Sequence, residues 1–188
     1  MPMSETKKIV VAISGASGSI YAKRLLDNLV KTPHQVAIVM SEHARQIWDT
    51  ELEGFDIGSF DRPIFGLRDF TCPFVSGSNA WDACVVIPAS MGMIGRIAHG
   101  YSDDVIARTA DVQLKERKQL ILVPRETPYG LVHLENMHLL TLAGALILPA
   151  TPSFYSRPKT IEEAVDTVIA RLLDHLKIEN KLRQGWGQ

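Results

Sequence analysis

Four short runs hold the residues best suited to chemistry, and each directly follows an apolar run: Ser14-Gly15-Ala16-Ser17, Ser41-Glu42, Ala89-Ser90-Met91-Gly92 and Arg125-Glu126. The first joins the strand-like Ile9-Val10-Val11-Ala12-Ile13 to a helical pattern beginning at Ile20. A helix opening at such a turn presents free backbone N–H groups and positive dipole character, which suits an anion. By itself Gly15-Ala16-Ser17-Gly18 reads equally well as a tight turn. It lacks both the spacing of GxGxxG and the lysine of GxxxxGK[ST]. Ser41 can bond a ligand hydroxyl or simply cap a helix. Glu42 lies one residue late for the ribose carboxylate of a dinucleotide site. Arg125-Glu126 stands between Pro124 and Pro128. That rigid mount gives a fork of donors for phosphate or a carbonyl and a carboxyl able to exchange protons, although a surface ion pair has the same composition.

Other charged residues are not assigned by spacing alone. Arg108 and Lys115 share a helical face with Asp111 between their rows, as a solvated face would. Tyr155 falls in a loop, and Arg171 lies off the apolar stripe of the last helix. His34, His43, His99, His133, His138 and His175 form no HExxH, so no metal site is expected. Cys72 and Cys84 form no CxxC, which suits a reducing compartment. A net charge of −1 without basic runs argues against nucleic acid and anionic membranes and favours a small-molecule partner. The start is polar, and the longest apolar stretch, Leu139 to Leu148, is too short for a bilayer. The expectation is a cytoplasmic protein with no membrane span.

The elements that must position these residues alternate between strand and helix. Beyond the first strand, strands are predicted at Gln35–Met40, Ala83–Ile87, Gln119–Val123 and Ala145–Leu148. Helices are predicted from Ile20 to about Lys31, His43 to Leu52, Met91 to about His99, Asp103/Asp104 to Lys118 and Leu131 to Ala143. The last helix places Ile161, Ala164, Val165, Val168, Ile169, Leu172, Leu173 and Leu176 on one stripe. The stretch from Glu53 to Ser78 has no sustained period and reads as a long excursion or flap. This pattern predicts a three-layer α/β fold, a parallel sheet covered by helices on both faces, with ligands at the carboxyl ends of the strands. With 188 residues, 46% of them hydrophobic, one domain spanning 1–188 is expected, with tails at 1–7 and about 180–188.

On these residues the chain resembles the flavin prenyltransferase (UbiX-like) family over nearly its whole length. The resemblance rests on five blocks in order: Ser14 to Gly18, Arg108 to Arg117, Leu122 to Pro128, His133 to Met137 and Pro149 to Tyr155. It implies a flavodoxin-like or Rossmann-like fold binding FMN, and a large homo-oligomer, usually a dodecamer, with sites at subunit junctions. It further implies a metal-independent transferase that joins the dimethylallyl group of dimethylallyl phosphate to reduced FMN, at N5 and then C6. The prenylated FMN serves a decarboxylase partner of the ubiquinone-biosynthesis or aromatic-acid type.

The same resemblance implies roles for individual residues. Gly15, Ala16, Ser17, Ser41, Ser90, Met91, Gly92, Met93 and Arg125 match FMN contacts, with Ser17 near the reacting edge of the flavin. Arg108, Lys115, Tyr155 and Arg171 match the substrate-phosphate positions. Glu126 matches the proton-transfer group and Glu51 its acidic partner near the phosphate, while Phe70 or Trp81 would shelter the allyl cation. Ala89 and Met93 stand where the family commonly has cysteine and threonine. A lost hydroxyl is worth about 1 kcal/mol, enough to change the geometry of FMN binding without abolishing it. An FMN-dependent cysteine decarboxylase of the phosphopantothenoylcysteine type would show Pro-Ala-Ser-Ala-Asn-Thr, whereas Pro88-Ala89-Ser90 continues here as Met91-Gly92-Met93. A non-catalytic prenyl-FMN carrier would have no use for Glu51, Glu126 and Lys115.

Overall fold

A computed structural model describes residues 6–182. The expected tails fall largely outside those residues. The strands are β1 (Lys8–Ile13), β2 (Gln35–Met40), β3 (Ile64–Gly66), β4 (Ala83–Ala89), β5 (Gln119–Pro124) and β6 (Leu146–Ile147). The α-helices are α1 (Ser19–Leu29), α2 (Glu42–Glu51), α3 (Met91–Ala98), α4 (Val105–Lys115), α5 (Leu131–Ala143) and α6 (Ile161–His175). All strand pairs are parallel, in the order β3-β2-β1-β4-β5-β6. With β3 included this is the doubly wound dinucleotide-binding order. Without it, the remaining strands follow the flavodoxin order. Strand order reverses between β1 and β4, and that reversal opens a crevice at their carboxyl ends.

Alternation along β1 splits the apolar residues between two cores. Ile9, Val11 and Ile13 pack with α1 and α6, and Val10 and Ala12 pack with α3 and α4. Leu25, Leu26, Ile169 and Leu172 are fully buried on the first side. Each contributes about 1.5–3 kcal/mol by leaving water, so this packing dominates any surface ion pair on the same helices. Arg24 adds direction, donating from Nε and Nη2 to the Asp166 carboxylate at 2.8 and 2.6 Å and so setting α1 against α6.

Two expectations change. The Glu53–Ser78 stretch is not wholly irregular, because it contains three 3₁₀ turns and the edge strand β3. Ile64-Phe65-Gly66 is too short to show a period, and only pairing with β2 makes it a strand. In α6 most of the predicted stripe is buried, but Ile161 in the first turn is exposed. The sheet is bordered on both sides by very short strands, β3 and β6, of three and two residues.

Candidate functional site

The crevice begins with Ser14, the first residue after β1. Its hydroxyl donates to the Pro88 carbonyl at 2.9 Å and accepts from the Ser90 backbone N–H at 2.8 Å, tying the exits of β1 and β4 together. Ser41 caps α2 by accepting from the Ala44 N–H at 3.0 Å, and Ser90 caps α3 by accepting from the Met93 N–H at 3.3 Å. A capping hydroxyl accepts, so both serines keep an O–H to donate to a ligand. Ser14, Gly15, Ser41, Ser90, Gly92 and Met93 line one cavity of about 280 Å³. Ala16 N–H closes the turn on the Ser14 carbonyl at 2.8 Å, and Met91 is buried at the root of α3.

The anion seat at the start of α1 is filled by the chain itself. Gly18 is the cap residue, with φ +113°, and has no side chain to satisfy the helix. Glu51, the last residue of α2, does so instead. Its carboxylate accepts from the Gly18 N–H at 2.9 Å and the Ser19 N–H at 2.7 Å. Burial alone would raise this carboxyl, but hydrogen bonds from the Ser17 hydroxyl and the Gly18 and Ser19 backbone win and hold it below the ordinary carboxylate range. The structure therefore brings Ser17 and Glu51 together and removes a free phosphate from this helix start. A depressed carboxyl stabilises the fold above its unfolded pKa, and that contribution is lost as pH falls through the folded value. Glu51→Ala should therefore cost about 1 kcal/mol near neutral pH, and the deficit should vanish in acid. Thermal melting across an acid titration checks this, and a constant deficit would contradict it.

Arg125 follows β5 and lies against the same turn. A side-chain carbon on Gly18 would come within 3.5 Å of Arg125 Cγ, and the arginine's charge acts on Tyr21, whose hydroxyl burial pushes up. Its Nε is buried without a hydrogen-bond partner. An orphaned donor beside the crevice is the feature that a bound carbonyl or phosphate oxygen would complete. Glu126 is exposed, and its Oε1 accepts from the Thr127 N–H at 3.0 Å.

The four predicted phosphate residues do not meet within one chain. Arg108 and Lys115 belong to α4, which packs on the second core. Arg108 donates from Nε to the Val75 carbonyl at 3.0 Å and pairs with Asp111 at 2.7 Å, while Lys115 pairs with Glu116 at 3.5 Å. Lys115 ends α4 just before β5 begins, at the opposite end of the sheet from Ser17 and Arg125. Arg171 is on α6, across the sheet, and lines a separate cleft of about 490 Å³ between α6 and β6. That cleft is larger than the crevice but holds none of the strand-exit serines. Tyr155 lies exposed in the loop between β6 and α6. Of the two predicted aromatic shields, Trp81 is excluded: it is 4% exposed and packs edge-on against Phe74 in the second core. Phe70 is exposed just beyond β3.

Two more residues share the serine-lined cavity: His43, which the sequence offers only as a loose candidate for the site histidine of a cysteine decarboxylase, and Arg96, which it does not single out. His43 crowds the β1 exit so closely that a side-chain carbon on Gly15 would lie 2.9 Å from its Cβ. Arg96 is three residues beyond Met93, hence on the same face of α3, a signal readable once the cap at Ser90 is fixed. The predicted helix over Leu131 to Ala143 is α5, and Leu131, Val132, Leu134, Leu139 and Leu142 are exposed on it, an apolar surface that no other described residue buries. Among the described residues no three His, Cys, Asp or Glu side chains group as a metal site, and no helix is long and apolar enough to cross a membrane.

A family model described as Flavoprotein matches residues 2–178. The flavin prenyltransferase UbiX of Methanocaldococcus jannaschii is 43% identical over 182 residues, which cover 96% of this chain and 98% of that protein. The crystal structure of AnUbiX (PadA1) in complex with FMN and dimethylallyl pyrophosphate superposes with a TM-score of 0.92 at 34% identity, covering 98% of this chain and 99% of the other. A dodecameric FMN-dependent UbiX-like decarboxylase from Escherichia coli O157:H7 superposes with a TM-score of 0.91 at 34% identity, covering 96% and 100%.

Proposed function

Because this chain belongs to the flavin prenyltransferases of the flavoprotein family, we propose that it transfers the dimethylallyl group of dimethylallyl phosphate to N5 and then C6 of reduced FMN. The products are inorganic phosphate and prenylated FMN, the latter for a partner decarboxylase. FMN supplies the two nucleophilic ring positions, and the residues of the chain bind, orient and move protons. The observation that carries this reading is the crevice itself: the Ser14, Ser41 and Ser90 exits line one cavity, with the unpaired Nε of Arg125 beside it, in a chain similar from end to end to known flavin prenyltransferases.

Ser41 and Ser90 donate their remaining O–H protons to the flavin nucleotide, and Gly15, Ala16, Gly92 and the buried Met91 and Met93 shape its bed. Arg125 gives its orphaned Nε–H to a flavin carbonyl. Ser17, fixed by Glu51, meets the reacting edge. Glu126 would move the protons of ring closure, one delivered to the prenyl alkene as its other carbon bonds to C6 and one taken from C6.

Breaking an allylic C–O bond places negative charge on the departing phosphate. Arg108, Lys115 and Arg171, with the Tyr155 hydroxyl, stabilise that charge without a metal. Because α4 and α6 lie on opposite faces of the sheet, the set is completed by more than one copy of the chain. We therefore assign a homo-oligomer, a dodecamer like that of the E. coli relative, with active sites at its junctions and α5 among the buried surfaces. The cytoplasm is its compartment, where reduced flavin and the free Cys72 and Cys84 persist.

Anaerobic incubation with reduced FMN and dimethylallyl phosphate should yield flavin carrying one added prenyl group by mass spectrometry. Bound FMN with no adduct, from either the monophosphate or the diphosphate, would overturn the assignment.

A further inference from the structure

We propose that Arg96, supported by His43, grips the phosphate of FMN and thereby makes this chain select the mononucleotide over riboflavin. The inference rests on the flavin-binding reading above and concerns residues that the family pattern does not assign. Both side chains line the cavity formed by the Ser14, Ser41 and Ser90 exits. Arg125 and the Ser17–Glu51 turn lie by α1 and are not among the residues lining that cavity, whereas His43, in the first turn of α2, and Arg96, in the last turn of α3, both line it. A dianionic phosphate belongs in that cavity, where an arginine, an imidazole and the capping hydroxyls of Ser41 and Ser90 share one lining.

Arg96 also makes good a local loss. Met93 stands where the family commonly offers a threonine, and a thioether donates no hydrogen bond. Arg96 lies three residues further along α3, on the same face, and a guanidinium carries five donors. Two carboxylates hold it: Nη2 donates to the Asp103 oxygens at 3.1 Å, and Nη1 lies 3.2 Å from the Asp104 carboxylate. The two partners differ. Asp104 is buried and already caps α4 through the Ala107 N–H at 2.8 Å, while Asp103 is more than half exposed. An exposed pair is weak and exchangeable. Phosphate therefore takes the place of Asp103, and Asp104 continues to aim the guanidinium. His43 Cβ stands so close to Gly15 that a side-chain carbon there would lie 2.9 Å from it, which puts the root of the imidazole beside the β1 exit.

The test is a pair of dissociation constants, for FMN and for riboflavin, measured by quenching of flavin fluorescence on wild type and on Arg96→Ala, Arg96→Lys, His43→Ala and Asp103→Asn. Wild type should prefer FMN. Arg96→Ala should weaken FMN by about tenfold to a hundredfold with riboflavin little changed, Arg96→Lys should recover part of the loss, and His43→Ala should show a smaller loss of the same kind. Asp103→Asn should bind FMN at least as tightly as wild type, because it removes the competitor and leaves the folded frame intact. An unchanged FMN-to-riboflavin ratio in Arg96→Ala would overturn the proposal. So would equal losses of both flavins, or an Asp103→Asn variant as weak as Arg96→Ala, since either would mark the ion pair as scaffold. A wild type that binds neither flavin overturns the flavin reading itself, a different result from a wild type with affinity but no phosphate preference.

Discussion

Lys115→Ala and Arg171→Ala should each keep FMN bound and lower prenyl transfer by about a hundredfold to a thousandfold, the scale of removing one preorganised charge from a developing anion. The fold makes a sharper claim than the two single losses. Lys115 closes α4 on one face of the sheet, and Arg171 projects from α6 on the other. Within one copy the sheet stands between them. Co-expressing the two inactive variants should therefore restore activity, to about a quarter of wild type if subunits mix at random, because a junction drawing its lysine from one copy and its arginine from another is then sometimes intact. Steady-state product by mass spectrometry, with the flavin content of each preparation measured beside it, decides the matter. Mixed oligomers with no recovery would mean that the two cations do not act on one shared phosphate.

Glu126→Gln should reduce turnover by about a hundredfold to ten-thousandfold, the usual worth of a positioned proton-transfer group, with FMN affinity unchanged. The carboxylate is exposed beyond β5 and accepts from the Thr127 N–H at 3.0 Å, so no buried network collapses when it is neutralised. A glutamine of the same length keeps that contact through its carbonyl oxygen. The loss should therefore fall on kcat, and Glu126→Asp should restore part of it. Single-turnover transfer with flavin-loaded protein measures this directly. A variant that loses flavin instead would move Glu126 from proton transfer to binding.

How much of this was readable in the chain depends on the reach of each interaction. The buried strands β1, β2, β4 and β5 announced themselves because a parallel strand covered on both faces is an almost unbroken apolar run. The caps at Ser41 and Asp104 were legible because a cap and its helix are neighbours in sequence. Glu51 at the start of α1 was not, since the carboxylate and Gly18 are 33 residues apart and nothing local marks the pair. The free N–H groups at this helix start were readable as an anion seat or equally as a tight turn, and the carboxylate that meets them was not readable at all. Family likeness named Lys115 and Arg171 but not their separation, because a pattern of matched residues carries no information about which face of the sheet each helix covers. The apolar character of α5 was visible, but composition alone cannot say whether such a helix covers the core of its own chain or stands outside it.

The short border strands bear on how this chain can join another. β3 and β6 expose three and two residues of backbone, too little for a neighbouring sheet to continue across either edge. Any union must then be written in side chains on helices and loops, where affinity is divisible residue by residue. Contacts of that kind can be dismantled by a single misplaced charge. They also leave the order and hydrogen bonding of the sheet, and so the geometry of the strand exits, untouched when copies come together or part.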